Sequence, residues 1–150
     1  MKKIIVIALS LVAFAAVASA QPRALGIRAT YGAELSYQHT LGGSNFAEFD
    51  LGWAGNSGFN LAGIYDFVIG GSDNFNFYAG PGARFGMYNW HDEANNASMK
   101  ASLAIAGQLG VEYQFGGIPF NISLDWQPSW DFLGTGFGWS SFALGFRYRF

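Results

Sequence analysis

Ser141-Phe142-Ala143-Leu144-Gly145-Phe146-Arg147-Tyr148-Arg149-Phe150 is the stretch from which the remainder of the chain is best read. Successive side chains of an extended strand point to opposite faces. Phe142, Leu144, Phe146, Tyr148 and Phe150 therefore form one apolar or aromatic face, and Ser141, Ala143, Gly145, Arg147 and Arg149 form the other. The first face suits hydrocarbon, and the second suits water or a partner charge. Soluble sandwiches also contain alternating strands, but two arginines behind an unbroken apolar and aromatic face point to a strand of a membrane-spanning barrel.

The same period of two recurs upstream. It predicts strands over 24–31, 33–41, 46–54, 59–67, 75–88, 102–115 and 120–127, with 142–150 as the eighth. Ile64 breaks the pattern as an apolar side chain among polar ones. Segment 75–88 has aromatic residues on both faces. There Pro81 removes a ladder donor and predicts a bulge or weak pairing, and Gly80, Gly82 and Gly86 leave room for Tyr78, Arg84 and Tyr88 to pack inside. Turns are expected at Gly32, 42–45, 55–58, 70–74 and 116–117, and long connections at Trp90 to Ser98 and Pro128 to Trp139. An even number of strands leaves both chain ends on one side.

Composition points the same way. The chain is 51% hydrophobic and 12% charged, against about 25% charged in average soluble domains, so it has few charges with which to solvate an ordinary surface. Lys2 and Lys3, the apolar run Ile4 to Val17 and Ala18-Ser19-Ala20 read as an export signal cleaved after Ala20. The expected organisation is a signal peptide over 1–20 and one domain over 21–150. The latter carries six basic and ten acidic residues, a formal charge of −4, and lacks the basic patch a nucleic-acid partner requires. With no cysteine, there is no disulfide and no thiolate metal site. No later apolar run is long enough to span a bilayer as a helix, so membrane residence requires a closed barrel.

The fold expected is all-β, an eight-stranded antiparallel up-and-down transmembrane β-barrel. With polar faces inward, Arg28, Glu34, Glu48, Asp50, Asp66, Arg84, Glu112, Asp125, Arg147 and Arg149 share one small lumen. Charges confined there are costly unless paired. Arg28 has Glu34 nearby, and Asp125 lies on the strand preceding Arg147 and Arg149. Tyr65, Phe67, Phe77, Tyr113, Phe115, Phe120, Tyr148 and Phe150 fall at the short-turn end of their strands. Tyr31, Trp53, Phe59, Trp126 and Phe142 fall near the other end, as two interfacial girdles require.

Together, the export signal, the eight alternating strands and the aromatic 142–150 segment resemble small eight-stranded outer-membrane barrels of the OmpA/OmpX type. Segments 59–65 and 118–126 are similar to a subgroup of these. That resemblance implies location in the outer membrane of a Gram-negative cell. It also implies that the barrel-assembly machinery reads Phe146, Tyr148 and Phe150 during biogenesis.

Candidate chemistry is sparse. Glu48 and Asp50 have the look of a paired acid/base site, but neutralising luminal arginines explains them better. His91-Asp92-Glu93 lacks a known metal-ligand spacing and reads as a solvated loop. His39 falls on the apolar face, where it resembles the base of a lipid-modifying enzyme. Ser36, however, points the other way, and no outward acid neighbours it. Gly80, Gly82 and Gly86 do not complete a dinucleotide fingerprint, and Asn96-Ala97-Ser98 and Asn121-Ile122-Ser123 match the glycosylation sequon in form only. No catalytic, cofactor or metal residue is assigned. The expected function is a monomeric structural, porin-like barrel of the cell envelope with a side-chain-plugged lumen, in contact with outer-membrane lipid. The alternatives are a narrow passive pore and a lipid-modifying enzyme.

Overall fold

The computed structural model describes residues 22–53, 58–91, 93–134, 136–139 and 141–150. The expected signal peptide, residues 1–20, lies outside them. Strands follow in the order β1 (Pro22–Ala29), β2 (Ala33–Gly42), β3 (Asn45–Trp53), β4 (Gly58–Ser72), β5 (Phe75–His91), β6 (Ala97–Gln114), β7 (Phe120–Trp126), β8 (Ser129–Asp131), β9 (Gly136–Gly138) and β10 (Phe142–Arg149). Sequential strands from β1 to β7 pair antiparallel. β7 pairs with β10, and β10 closes on β1. The result is a closed eight-stranded antiparallel barrel with up-and-down connectivity, and β8 and β9 form an added hairpin on its rim.

Register defines its shape. Paired residues followed once round from Ala104 run through Arg84, Ala62, Asp50, Ser36, Gly26, Arg147 and Asn121 and return to β6 at Gln114, ten residues along. That displacement over eight strands tilts them by about 40° to the barrel axis.

The barrel is inside out relative to a soluble one. Leu25, Ile27, Leu35, Phe49, Leu51, Leu61, Leu109, Leu124, Leu144 and Phe146 are exposed on the outer wall, Ile27 by 62%. Arg28, Glu48, Asp66, Glu112, Asp125 and Arg147 are buried inside, Arg147 completely. Ile64, the exception to the pattern, lies in the lumen against Gly82, which has no side chain to oppose it. Outer aromatics meet one another at two levels. Phe75–Tyr113, Tyr113–Phe115, Phe120–Tyr148 and Tyr148–Phe150 pack beside turns 73–74 and 115–119, whereas Phe59–Phe85 and Trp126–Phe142 pack towards the other rim.

Several connections differ from expectation. The ladder of β4 runs to Ser72, so the turn expected over 70–74 shrinks to 73–74, and a register shift falls between Val68 and Gly70. Pro81 keeps unbroken register with β6 opposite Gly107. Only the pairing with β4 lapses there, between Ile64↔Gly82 and Phe67↔Ala79. Trp90 to Ser98 is not a loop throughout, because the β5–β6 ladder continues to His91↔Ala97. That stretch holds no glycine or proline to stop the ladder, and Asn95, at φ 62°, helps turn the chain. Pro128 to Trp139 contains β8 and β9.

Candidate functional site

Two arginines organise the middle of the lumen. Arg28, from β1, places Nη1 at 2.7 Å from Glu34 and 2.8 Å from Asp50. Its Nε lies 3.3 Å from Asp125 and 3.6 Å from Glu48. Arg147, from β10, donates to Glu48 at 3.1 Å, Ser123 at 2.8 Å and Ser36 at 3.0 Å. Asp66 accepts the Gln108 amide at 3.0 Å, and the same amide lies 3.4 Å from Glu48. Tyr78 donates its hydroxyl to Asp125 and sets its ring edge against Phe46, 5.3 Å between centroids. One oxygen each of Asp50 and Asp66 is left without a hydrogen-bond partner among the described residues. Guanidinium groups suit this role because their fixed fork of donors serves several carboxylates at once. These bonds link β1, β2, β3, β4, β5, β6, β7 and β10 through the interior.

The end that carries turns 43–44 and 73–74 is closed by Arg23. It pairs with Glu112, donates to Gln38 and lies over the Phe46 ring at 4.1 Å. Glu112 also accepts from Gln114 at 2.9 Å and from Asn76 and Asn121 at 3.1 Å. Arg149 donates to Gln114 at 2.6 Å.

The opposite end is open. Arg84 is half-buried, 3.2 Å from Glu34 and 3.4 Å from Asn60. A cavity of about 320 Å³ lies on one side of it, bounded by Tyr88, Ser102, Ser129 and Asp131. A second, of about 180 Å³, lies on the other side, towards Tyr31 and Trp53. Asp131 accepts the Ser102 hydroxyl and the Leu133 backbone N–H, at 2.8 Å for the latter.

The ten charged residues singled out from the sequence thus fall into three places. Arg28, Glu34, Glu48, Asp50, Asp66, Asp125 and Arg147 share the middle, Glu112 and Arg149 lie at the closed end, and Arg84 stands at the mouth. The ion pair of Asp125 is with Arg28 rather than with Arg147 or Arg149, because closure of β1 onto β10 brings Arg28 across the lumen. Arg23 escaped the sequence reading. It is out of phase with Ala24, Gly26 and Arg28, and a register shift between Pro22 and Ala24 accompanies its inward turn. Gln38, Gln108, Gln127 and Ser123 were legible as inward by alternation, but nothing in their type marked them as partners.

Room for Tyr78 comes from Gly110, where an added Cβ would strike the Tyr78 ring, and not from Gly80 or Gly82. At Gly145 an added Cβ would meet Ser123 and Arg147. His39 lies on the outer wall, with its Nδ1 3.0 Å from the Tyr37 hydroxyl, while Ser36 is buried beside Arg147. Among the described residues no three or more His, Asp or Glu side chains are placed so that they could hold a metal ion, and Asp92 of the expected loop triplet lies outside them. No family model matches the chain, and no curated protein matches it.

Proposed function

We propose that the chain is an exported structural protein of the bacterial outer membrane. In this reading it is a monomeric, cofactor-free barrel of the OmpA/OmpX type that contributes to envelope integrity or surface contacts without catalysing a reaction. The observation that supports this most directly is the inversion of the barrel, with leucines and aromatics outside and paired charges inside. Water solvates such an outer wall poorly, whereas hydrocarbon solvates it well. The ten-residue β2 rises about 25 Å at a tilt near 40°, which is the height of the apolar band of such barrels. Cleavage after Ala20, which rests on the residues of the export signal, and recognition of Phe146, Tyr148 and Phe150 by the assembly machinery, which rests on the resemblance, belong to the same reading.

Heat-modifiable gel migration together with β-type circular dichroism in detergent is the expected behaviour. Recovery of the protein as a soluble periplasmic species would overturn the reading. The interior favours a plug over a pore, since the space at Gly110 and Gly145 is occupied by Tyr78 and Arg147. Planar bilayers are expected to show no steady ohmic channels. As a check on the enzymatic alternative, His39→Ala is expected to leave lipid A chemistry unchanged.

A further inference from the structure

The connection between the last two barrel strands continues the wall beyond the rim. β7 pairs with β6 up to Trp126↔Leu109, and β8 resumes in the same register at Ser129↔Ala106. Pro128, which lacks an N–H, interrupts the strand but still accepts from Gly107 at 2.9 Å. Phe132 extends the ladder by donating to the Leu103 carbonyl at 2.9 Å. On the other side, β9 continues β10 after a shift of one residue, from Phe142↔Trp126 to Gly138↔Ser129.

Alternation runs unchanged through Pro128 into β8, and the one-residue shift reverses its phase between β9 and β10, so that both hairpin strands keep an aromatic outer face. Trp130, Phe132, Phe137 and Trp139 are exposed, and Ser129, Asp131, Gly136 and Gly138 line the cavity behind them. Leu103 and Ile105 of β6 extend the same outer surface. The Trp126 indole N–H is satisfied at 2.6 Å by the Trp139 carbonyl, and the Trp126 and Trp139 rings stack. Asp131, the nearby charge of the hairpin, is turned inward to Ser102. An uncharged face of tryptophan and phenylalanine, continuous with the outer wall, fits lipid better than water.

We propose that the β8–β9 hairpin is embedded in lipid, with Trp130, Phe132, Phe137 and Trp139 against the acyl chains and interfacial zone of the outer leaflet. This rests on the membrane reading of the barrel. It differs from that reading in assigning to lipid a segment that the sequence places in an external loop.

Single-tryptophan variants keeping Trp53, Trp130 or Trp139, with the other four of the five tryptophans replaced by phenylalanine, test it in phosphatidylcholine vesicles carrying brominated acyl chains. Trp130 and Trp139 are expected to lose at least as large a fraction of emission to bromolipid as Trp53 does, and to resist aqueous acrylamide. Quenching by acrylamide alone, with Trp53 still quenched by bromolipid, places the hairpin in water and overturns the proposal while sparing the membrane reading. Resistance to both quenchers means that protein, such as a second copy, covers the face, and this too overturns it. Loss of bromolipid quenching at Trp53 as well removes the membrane reading itself. Should the tryptophan variants fail to fold, Phe132→Cys in this cysteine-free chain carries a nitroxide. Its relaxation is expected to respond more to oxygen than to a water-soluble nickel chelate, and the reverse preference overturns the proposal.

Discussion

The two ends of the lumen are built from the same strands yet filled differently. At the closed end, Arg23, Gln38, Phe46, Asn76, Glu112 and Asn121 interlock, and just above them Gly110 gives its space to Tyr78. At the open end, Gly136 and Gly138 border the larger cavity, and among the described residues no buried large side chain fills the space they leave. Glycine therefore has opposite consequences within one interior. Beside a large partner it permits dense packing, and without one it leaves a void. The ionic chemistry differs in parallel, since Glu112 gathers donors from Arg23, Asn76, Gln114 and Asn121, whereas Arg84 rests on Glu34 and Asn60 near solvent.

Substitutions can break this contrast in graded steps. The largest loss is expected from Arg28→Leu, which strands Asp50 and Asp125 without their shared cation and leaves Glu34 with Arg84 alone. Removal of one partner from a buried ion pair costs about 3–5 kcal/mol, so the folded, heat-modifiable band should largely disappear. Arg23→Met is expected to cost about 1.5–3 kcal/mol, typical of lost hydrogen bonds to a charged group, read from urea unfolding in vesicles. Gly110→Ala, whose Cβ would strike the Tyr78 ring, is expected to cost about 1–3 kcal/mol through overpacking. By contrast, Gly138→Ala, with its nearest neighbour 3.6 Å away, should shift the same transition by no more than about 0.5 kcal/mol. Equal effects at the two glycines would erase the distinction between packed and open ends. Arg84→Met should likewise cost little, about 1 kcal/mol or less, because the pair is partly solvated and Glu34 keeps Arg28. A loss at Arg84 as large as that at Arg23 would mean that the mouth is structurally closed.

How far these partners could be anticipated depended on distance along the chain. Alternation assigned Glu48, Asp66 and Arg147 to one side of the wall because a strand's period is two whatever it pairs with. The choice of Asp125 for Arg28, 97 residues away, followed no local pattern. It required closure of β1 onto β10 and the ten-residue displacement around the barrel. Arg23 was hidden because a register shift reverses local phase, and such a shift leaves little trace in residue type. The lengths of β5 and β6 were underestimated for another reason: polar residues such as Asn89 and Lys100 resemble a loop in composition, yet nothing in their backbone chemistry prevents pairing.

Two faces, eight barrel strands and the scarcity of exposed charge were determined by the order of residues alone, because each depends on local periodicity and composition. Tertiary structure decided which arginine met which carboxylate, which glycines were filled, and that Trp130 to Trp139 carried the wall onward. These depend on closure, register and shear, which set distances between strands that no single strand encodes.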